Sequence, residues 1–250
     1  MKHIIPFVLA AALICPAHTE ASGLSYSYAE GETATYRLVK EVSIKGAPSS
    51  EIIGNDFTEE SVMELKAGAV SADSYSLSYQ VVSGALSRDG AGEPLAATGE
   101  IYPVVISRKG EILSSEGLNQ QLHYELMLPL LPEGEPAAGD SWPYKIVSKK
   151  EMMNFVNSEI VYTLKEVRPS ENGSMYVIGF SGSSLSSEKS EALETSFDKA
   201  IEGDIYFDGA AGRVSSALSI EHLNIKIHNI FTGSEINVRS STKLLFDMYR

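Results

Sequence analysis

The sequence predicts a mainly β protein: one or more antiparallel curved sheets, a sandwich or a half-barrel, with one short helix. Three observations support this class. Apolar residues alternate with polar ones at a period of two, glycine-containing turns separate the alternating stretches, and one stretch alone repeats at helical spacing. Of the 250 residues, 43% are hydrophobic and 21% are charged, which is typical of a folded chain rather than a disordered one.

The first segment is typical of a secretory signal rather than of a folded element. Lys2 provides a positive start, an apolar run follows over residues 4–14, and a small-residue site ends at Ala21, where we expect cleavage. Cleavage after Ala17 or Gly23 is an alternative. The apolar run is shorter than the roughly 20 residues that a membrane-spanning helix needs. We therefore predict an exported protein, periplasmic or extracellular, that is not integral to the membrane.

The only cysteine, Cys15, lies in this segment. A lipid anchor on Cys15 is an alternative, but such sites have a small residue before the cysteine, and Ile14 is not small. Conventional cleavage leaves a mature chain without cysteine, which excludes disulfides, thiol catalysis and zinc sites built on cysteine. The net charge of −13 disfavours binding to nucleic acid and electrostatic docking on anionic lipid.

Alternation at period two predicts the strands. The clearest case is residues 74–81, where tyrosine, leucine and valine share one face and serine and glutamine share the other. Between Val214 and Ile227 the apolar positions change phase, which predicts a β-bulge near Glu221–His222. Further strands are predicted around Ala34–Ile44, Ile160–Leu164, Tyr176–Phe180, Ile205–Phe207 and Leu244–Met248.

Turns, loops and one helix are predicted between these strands. Turns at residues 108–111 and 208–212 predict two hairpins. Leucines at i, i+4 and i+8 predict a short helix over residues 118–126, which Pro129 ends. Serine- and glycine-rich stretches at residues 83–99 and 181–190 are predicted to be mobile loops.

A weak internal repeat divides the mature chain into two related β units. Gly99-Glu100-Ile101-Tyr102 before a turn resembles Gly203-Asp204-Ile205-Tyr206 before a turn, although chance similarity between hairpins is the alternative. The units pack together or form one continuous curved sheet. We predict four parts: a signal peptide over 1–21, an N-terminal β unit over 22–131, a joint over 132–138 and a C-terminal β unit over 139–250.

The joint carries a motif made of Leu131-Pro132, Pro136 and Gly139-Asp140-Ser141-Trp142. This motif resembles a signature of bacterial exported proteins and lipoproteins that have a signal peptide, a mostly β mature part and no assigned activity. The resemblance implies compartment and fold more than function, and the residue before Cys15 departs from the lipoprotein members. Physically, the motif predicts a turn followed by a strand that Trp142 anchors in the core. A ligand platform built on Trp142 is the alternative.

Catalytic and metal-binding patterns are absent from the sequence. His123 lies on the predicted helix, whereas His222 and His228 are six residues apart on a strand, about 20 Å, which is too far for one metal ion. Asp204 and Asp208 could bind calcium weakly, but they are more typical of solvated hairpin charges. We therefore predict no enzymatic activity, no cofactor and no metal site.

These observations favour a bacterial cell-envelope protein that binds an apolar small molecule or an envelope protein without catalysis. A large curved antiparallel sheet can hold an acyl chain in its concavity. One alternative is a structural or adaptor protein whose sheet edges meet another envelope component. A hydrolase on a β scaffold is a further alternative, for which the sequence offers no nucleophile and base.

Overall fold

The computed structural model of the protein describes residues 24–47, 54–115, 127–146, 158–171 and 173–249. The predicted signal peptide, Cys15, the predicted helix over 118–126 and His123 lie outside these ranges. The strands are β1 (Thr33–Ala47), β2 (Gly54–Val70), β3 (Ser74–Arg88), β4 (Ala91–Pro94), β5 (Ile101–Ser107), β6 (Ile112–Ser115), β7 (Ser141–Ile146), β8 (Ser158–Ser170), β9 (Gly173–Lys189), β10 (Leu193–Asp208), β11 (Arg213–Asn229) and β12 (Glu235–Tyr249).

All twelve strands belong to one antiparallel, open, curved sheet, which confirms the predicted fold class. The order is β6-β5-β3-β2-β1-β12-β11-β10-β9-β8-β7, and β4 pairs with β3 beside this path. The first and last strands meet at the centre of the sheet, where β1 pairs with β12 from Thr35–Tyr249 to Ala47–Asn237. The strands of the two predicted units therefore form one continuous sheet.

Alternation along the strands produces one buried face, which we call the inner face. A row of paired residues shows it: Ile205, Ala217, Phe246 and Leu38 lie side by side on β10, β11, β12 and β1, and each is at most 4% exposed. Because side chains of a strand alternate between faces, the polar residues between them point to the opposite, outer face. The two predicted hairpins are confirmed as β5–β6 and β10–β11.

Backbone hydrogen bonds show that the sheet curls around its inner face. The N–H of Tyr26 donates to Arg108 O, after β5, at 2.9 Å, and the N–H of Ser27 donates to Gly212 O, before β11, at 3.0 Å. In a flat sheet, β5 and β11 would be roughly 24 Å apart, because neighbouring strands are about 4.8 Å apart. Two consecutive residues can bridge them only if the sheet is strongly curled.

A second segment brings the two margins of the sheet together. The N–H of Leu131 donates to Lys109 O, between β5 and β6, at 2.7 Å. The indole N–H of Trp142, on β7 at the other margin, donates to Leu130 O at 2.7 Å. We call the segments Leu24–Tyr28 and Met127–Leu131 the plug, because they fill the curled sheet at one end of its strands. The phenol of Tyr26 joins the two segments by donating to Pro129 O at 3.0 Å.

The predicted bulge near Glu221–His222 is wrong. Pairing of β11 with both neighbours continues without a shift through those residues. The register shift lies at the start of β11, where Tyr206 pairs with Ser216 and Phe207 pairs with Val214, so that Ser215 is the extra residue. The Ser215 hydroxyl donates to Tyr206 O at 3.0 Å, which satisfies a carbonyl beside the irregularity.

The predicted loops over 83–99 and 181–190 are also largely wrong. Residues 83–88 extend β3, residues 91–94 form β4, and residues 181–189 extend β9. Serine and glycine weaken strand propensity, but pairing with neighbouring strands overrides it. These extensions carry β3 and β9 beyond the plug, and one of their residues, Leu86, lies on the inner face there.

Candidate ligand-binding surface

Burial decreases along the inner face with distance from the plug. On β12, Phe246 and Leu244 are each 1% exposed and Thr242 is 7% exposed, whereas Val238 is half-buried and Ile236 is 39% exposed. The hydrogen bonds and ring contacts of the plug reach the same end of the strands as Phe246, including an edge contact of Tyr26 with Phe207 at 5.4 Å. The strands thus continue well past the part of the inner face that the plug covers.

The apolar pattern nevertheless persists on this part of the inner face. Phe197, Ile225 and Val238 lie side by side on β10, β11 and β12, and the next row contains Ile227 beside Ile236. The opposite face of these strands is polar. We call the following apolar residues of the inner face the open surface: Ile44, Phe57, Leu86, Phe197, Leu223, Ile225, Ile227, Ile236 and Val238.

Polar side chains separate the plugged core from the open surface. Lys199 Nζ lies 2.8 Å from Glu221 Oε2, and both side chains are largely buried. Thr242 pairs with Glu221 across β12 and β11, and Lys40 lies opposite Glu59 across β1 and β2. Charged side chains are costly on a buried face unless they are paired, so these residues interrupt the apolar pattern between the plugged core and the open surface. We call these five residues the polar belt.

The plug side of the belt is closed by structural contacts. Tyr75 donates its hydroxyl to Tyr26 O at 2.9 Å, and Tyr28 packs edge-on against Tyr75 at 5.2 Å. Burial raises the pKa of Tyr26 and Tyr28 well above the ordinary value of a phenol, so both stay neutral. A ligand would therefore have to occupy the other end of the strands.

Trp142, the candidate from the sequence, lies on the plug side. Its side chain is 9% exposed and stacks on Tyr162 with ring centroids 6.1 Å apart. Its indole N–H donates a hydrogen bond to Leu130 O. This is the anchoring role that the Gly-Asp-Ser-Trp motif predicts, whereas the use of Trp142 as a ligand platform stays a prediction.

The outer face carries a groove that sequence reasoning missed. Its volume is about 520 Å³, and Val161, Leu218 and Ile220 provide its apolar lining. Lys165 and Asp204 form an ion pair across Gly179, where a Cβ atom would lie 2.3 Å from Lys165 Cε. The signal was the apolar pair Leu218 and Ile220, which belongs to the change of phase between Val214 and Ile227 that predicted a bulge.

The remaining candidates have local structural partners. Asp208 Oδ1 accepts the backbone N–H of Ala210 at 2.9 Å and that of Ala211 at 3.0 Å, which stabilises the β10–β11 turn. His222 and His228 both lie on the outer face of β11, because no bulge separates them. Among the described residues, no group of three or more histidine, cysteine and acidic side chains could hold a metal ion. No helix within the same ranges is long and apolar enough to cross a membrane.

Comparisons with known proteins find a fold neighbour but no family. No family model matches the chain, and no curated protein matches it. Among solved structures, the chain is similar to lipovitellin in a structure that concerns lipid–protein interactions in that protein, with a TM-score of 0.50 and 13% identity. The match covers 90% of this chain and 26% of the lipovitellin chain, so this chain spans about a quarter of that protein. At this identity the likeness shows a shared curved-sheet fold.

Proposed function

We propose that the protein binds an apolar ligand, such as a lipid acyl chain, on the open surface of its inner face. The observation that carries this proposal is the persistence of apolar side chains on the inner face beyond the plug. A strand face exposed only to water is normally polar, as the outer face is on the same stretches of β10, β11 and β12. A contiguous apolar surface on a soluble fold indicates an occupant.

The polar belt determines where such a ligand would lie. The five belt residues stand between the closed core and the open surface, so an acyl chain would extend from the belt toward the far ends of β10, β11 and β12. Burial of an acyl chain contributes about 0.8 kcal/mol per methylene group, so the open surface could bind a long chain without any specific polar contact. The fold neighbour, whose structure concerns lipid–protein interactions, is consistent with this use of a curved sheet.

The compartment is part of the same proposal. The signal-like segment over 1–21 and the resemblance of the Leu-Pro and Gly-Asp-Ser-Trp motif to bacterial exported proteins support an exported envelope protein. In that aqueous compartment, an acyl chain requires a protein that shields it from water. We propose a carrier or sensor without catalytic activity.

The first test is the identity of the bound material. The full chain, purified from a bacterial host, would be extracted with organic solvent and examined by mass spectrometry. We expect a stoichiometric lipid or other acyl compound. A protein that is empty and takes up no ligand from envelope extract would overturn the proposal and favour a structural or adaptor role.

The second test places the ligand on the open surface. Ile225→Glu introduces a charge at the centre of this surface, and we expect it to weaken binding of a fluorescent fatty acid by roughly tenfold or more. The matched control is His222→Glu, which introduces the same charge on the outer face of the same strand and should leave the affinity unchanged. If circular dichroism shows that both variants are folded and their affinities are equal, a site on the inner face is contradicted.

A further inference from the structure

We propose that the rim formed by the β9–β10 and β11–β12 turns docks on an uncharged lipid surface, with Phe231 inserted among the headgroups. This inference rests on the proposed function, because the docked rim would let an acyl chain pass between the bilayer and the open surface. The argument uses the exposure of the rim, its rigidity, its continuity with the open surface and its charge.

Large apolar side chains are displayed at the tip of the β11–β12 hairpin. Phe231 is 77% exposed and Ile230 is 39% exposed. An exposed phenylalanine at a hairpin tip is costly in water unless another surface covers it, since its ring alone can bury 150–250 Å². The exposed apolar side chains of the tip therefore favour contact with another apolar surface.

The backbone of the hairpin holds this display in place. Asn229 Oδ1 accepts the N–H of Phe231 at 3.0 Å and that of Thr232 at 3.1 Å. The N–H of Gly233, at a φ of 67°, donates to Asn229 O at 2.8 Å, which closes the turn. These bonds hold the backbone of the turn that carries Phe231.

The tip is continuous with the neighbouring turn and with the open surface. The N–H of Ile230 donates to Ala192 O in the β9–β10 turn at 2.9 Å, which joins the two turns into one rim. Leu193, 40% exposed, and Ile236, 39% exposed, follow on the inner face. Ile236 pairs with Ile227, a member of the open surface. Apolar side chains thus lead from Phe231 to the proposed site.

Charge decides which lipid surface fits the rim. Carboxylates outnumber lysines here: Glu188, Glu191, Glu194 and Glu235 lie beside Lys189 and Lys226, and His228 Nδ1 is 3.9 Å from Glu235 Oε1. Polybasic segments are what attract proteins to anionic bilayers, and this rim has the opposite balance. Insertion of apolar side chains would have to drive docking, which requires a surface of zwitterionic or otherwise uncharged lipid.

The test measures partitioning of the full chain onto vesicles of phosphatidylcholine by sedimentation. We expect Phe231→Asp to lower the partition coefficient about tenfold or more, because it replaces the inserted ring by a charge. Leu185→Asp is the matched control, since Leu185 is also 77% exposed but lies on the outer face of β9. Phe231→Ala provides a second variant with a smaller loss in the same direction.

Three results would overturn the docking proposal: no partitioning of the unmodified chain, equal loss in Phe231→Asp and Leu185→Asp, or partitioning only onto vesicles that contain phosphatidylglycerol. Binding of a fluorescent fatty acid in the absence of vesicles distinguishes the two proposals. The Phe231→Asp variant should still bind the fatty acid. If the unmodified chain does not bind it, the proposed function itself has failed.

Discussion

Arg213 is the residue through which the start of β11 holds the chain before β1. Its guanidinium donates to Glu32, lies over the ring of Tyr28 at 5.3 Å and donates to Ala211 O at 3.1 Å. The Arg213 side chain is 11% exposed, so loss of Glu32 would leave a largely buried charge without its partner. Gly212, just before it, has a φ of 61°, and a Cβ atom there would lie 2.5 Å from that of Ser27.

Glu32 makes the stability of the protein sensitive to acid. Burial alone would raise the pKa of Glu32, but the N–H of Ala29 and the Arg213 guanidinium hold it below the ordinary value of 4.5. The charged form therefore stabilises the fold above pH 4.5, and this contribution is lost as pH falls through the lowered folded-state pKa.

We predict that Glu32→Gln lowers the free energy of unfolding at neutral pH by about 1 kcal/mol and flattens its fall below pH 5. Urea unfolding of both proteins between pH 3 and pH 7 measures this. Glu60→Gln is the control, because Glu60 forms an exposed pair with Arg37 and should change stability little. If the free energy of unfolding falls with pH in the same way for Glu32→Gln and the unmodified chain, Glu32 is not the source of the acid sensitivity.

At the scale of elements, the plug joins strands that are not neighbours in the sheet. Leu130 and Leu131 connect β7 with the β5–β6 turn, and Tyr26 and Ser27 connect that turn with the β10–β11 turn. The Trp142 indole is the contact that β7 contributes. If Trp142 is an anchor, a conservative substitution should lower stability. If it is a ligand platform, the same substitution should weaken ligand binding.

We predict that Trp142→Phe lowers the free energy of unfolding by about 1–2 kcal/mol, since the partly buried carbonyl of Leu130 loses its donor. The affinity for a fluorescent fatty acid should be unchanged, because the open surface lies at the other end of the strands. Chemical unfolding and a binding titration on the same sample check both parts. Unchanged stability with weakened binding would favour the ligand platform instead.

The elements also show what the sequence could and could not predict. Tyr75, Leu77 and Tyr79 lie on the inner face as their alternation predicts, and both hairpins form at their glycine turns. The length of β9 could not be predicted, because its serine-rich part has no alternation of apolar and polar residues. Pairing with β10 keeps this part extended, together with pairing to β8 as far as Ser183. The bulge was misplaced because Leu218 and Ile220 are apolar on the outer face, where they line the groove.

For the candidate site, the sequence could predict only the kind of surface, an apolar concavity. A concavity with apolar lining follows from a curved antiparallel sheet, but its position depends on where the plug ends. Leu24–Tyr28 and Met127–Leu131 come from segments far apart in the chain, and nothing in their composition says that they share one end of the sheet. The open surface and the rim could therefore be located only in three dimensions.

At the scale of the whole molecule, the sheet and the plug form one structural unit. The β1–β12 pairing runs from Thr35–Tyr249 to Ala47–Asn237, most of the length of both strands, and the plug links the two margins. The two predicted β units have no gap between them in the sheet. Such an arrangement favours cooperative unfolding.

We predict a single unfolding transition in urea. Far-UV circular dichroism reports the whole sheet, and the fluorescence of the single tryptophan, Trp142, reports the junction of β7 with the plug. The two curves should coincide in midpoint and slope. Separate midpoints would show that the N-terminal and C-terminal units unfold independently.

The central position of the first and last strands has a consequence for the newly made chain. Strand β2 can pair with β1, and β3 with β2, as soon as they emerge during synthesis. The other edge of β1 stays unpaired until β12 is made, since Tyr36 pairs with Met248. A long unpaired edge is a template for pairing between molecules. Closure of the sheet by such distant residues is also slow. Chaperones that shield nascent chains would therefore matter more for this topology than for one in which the last strand is added at a margin.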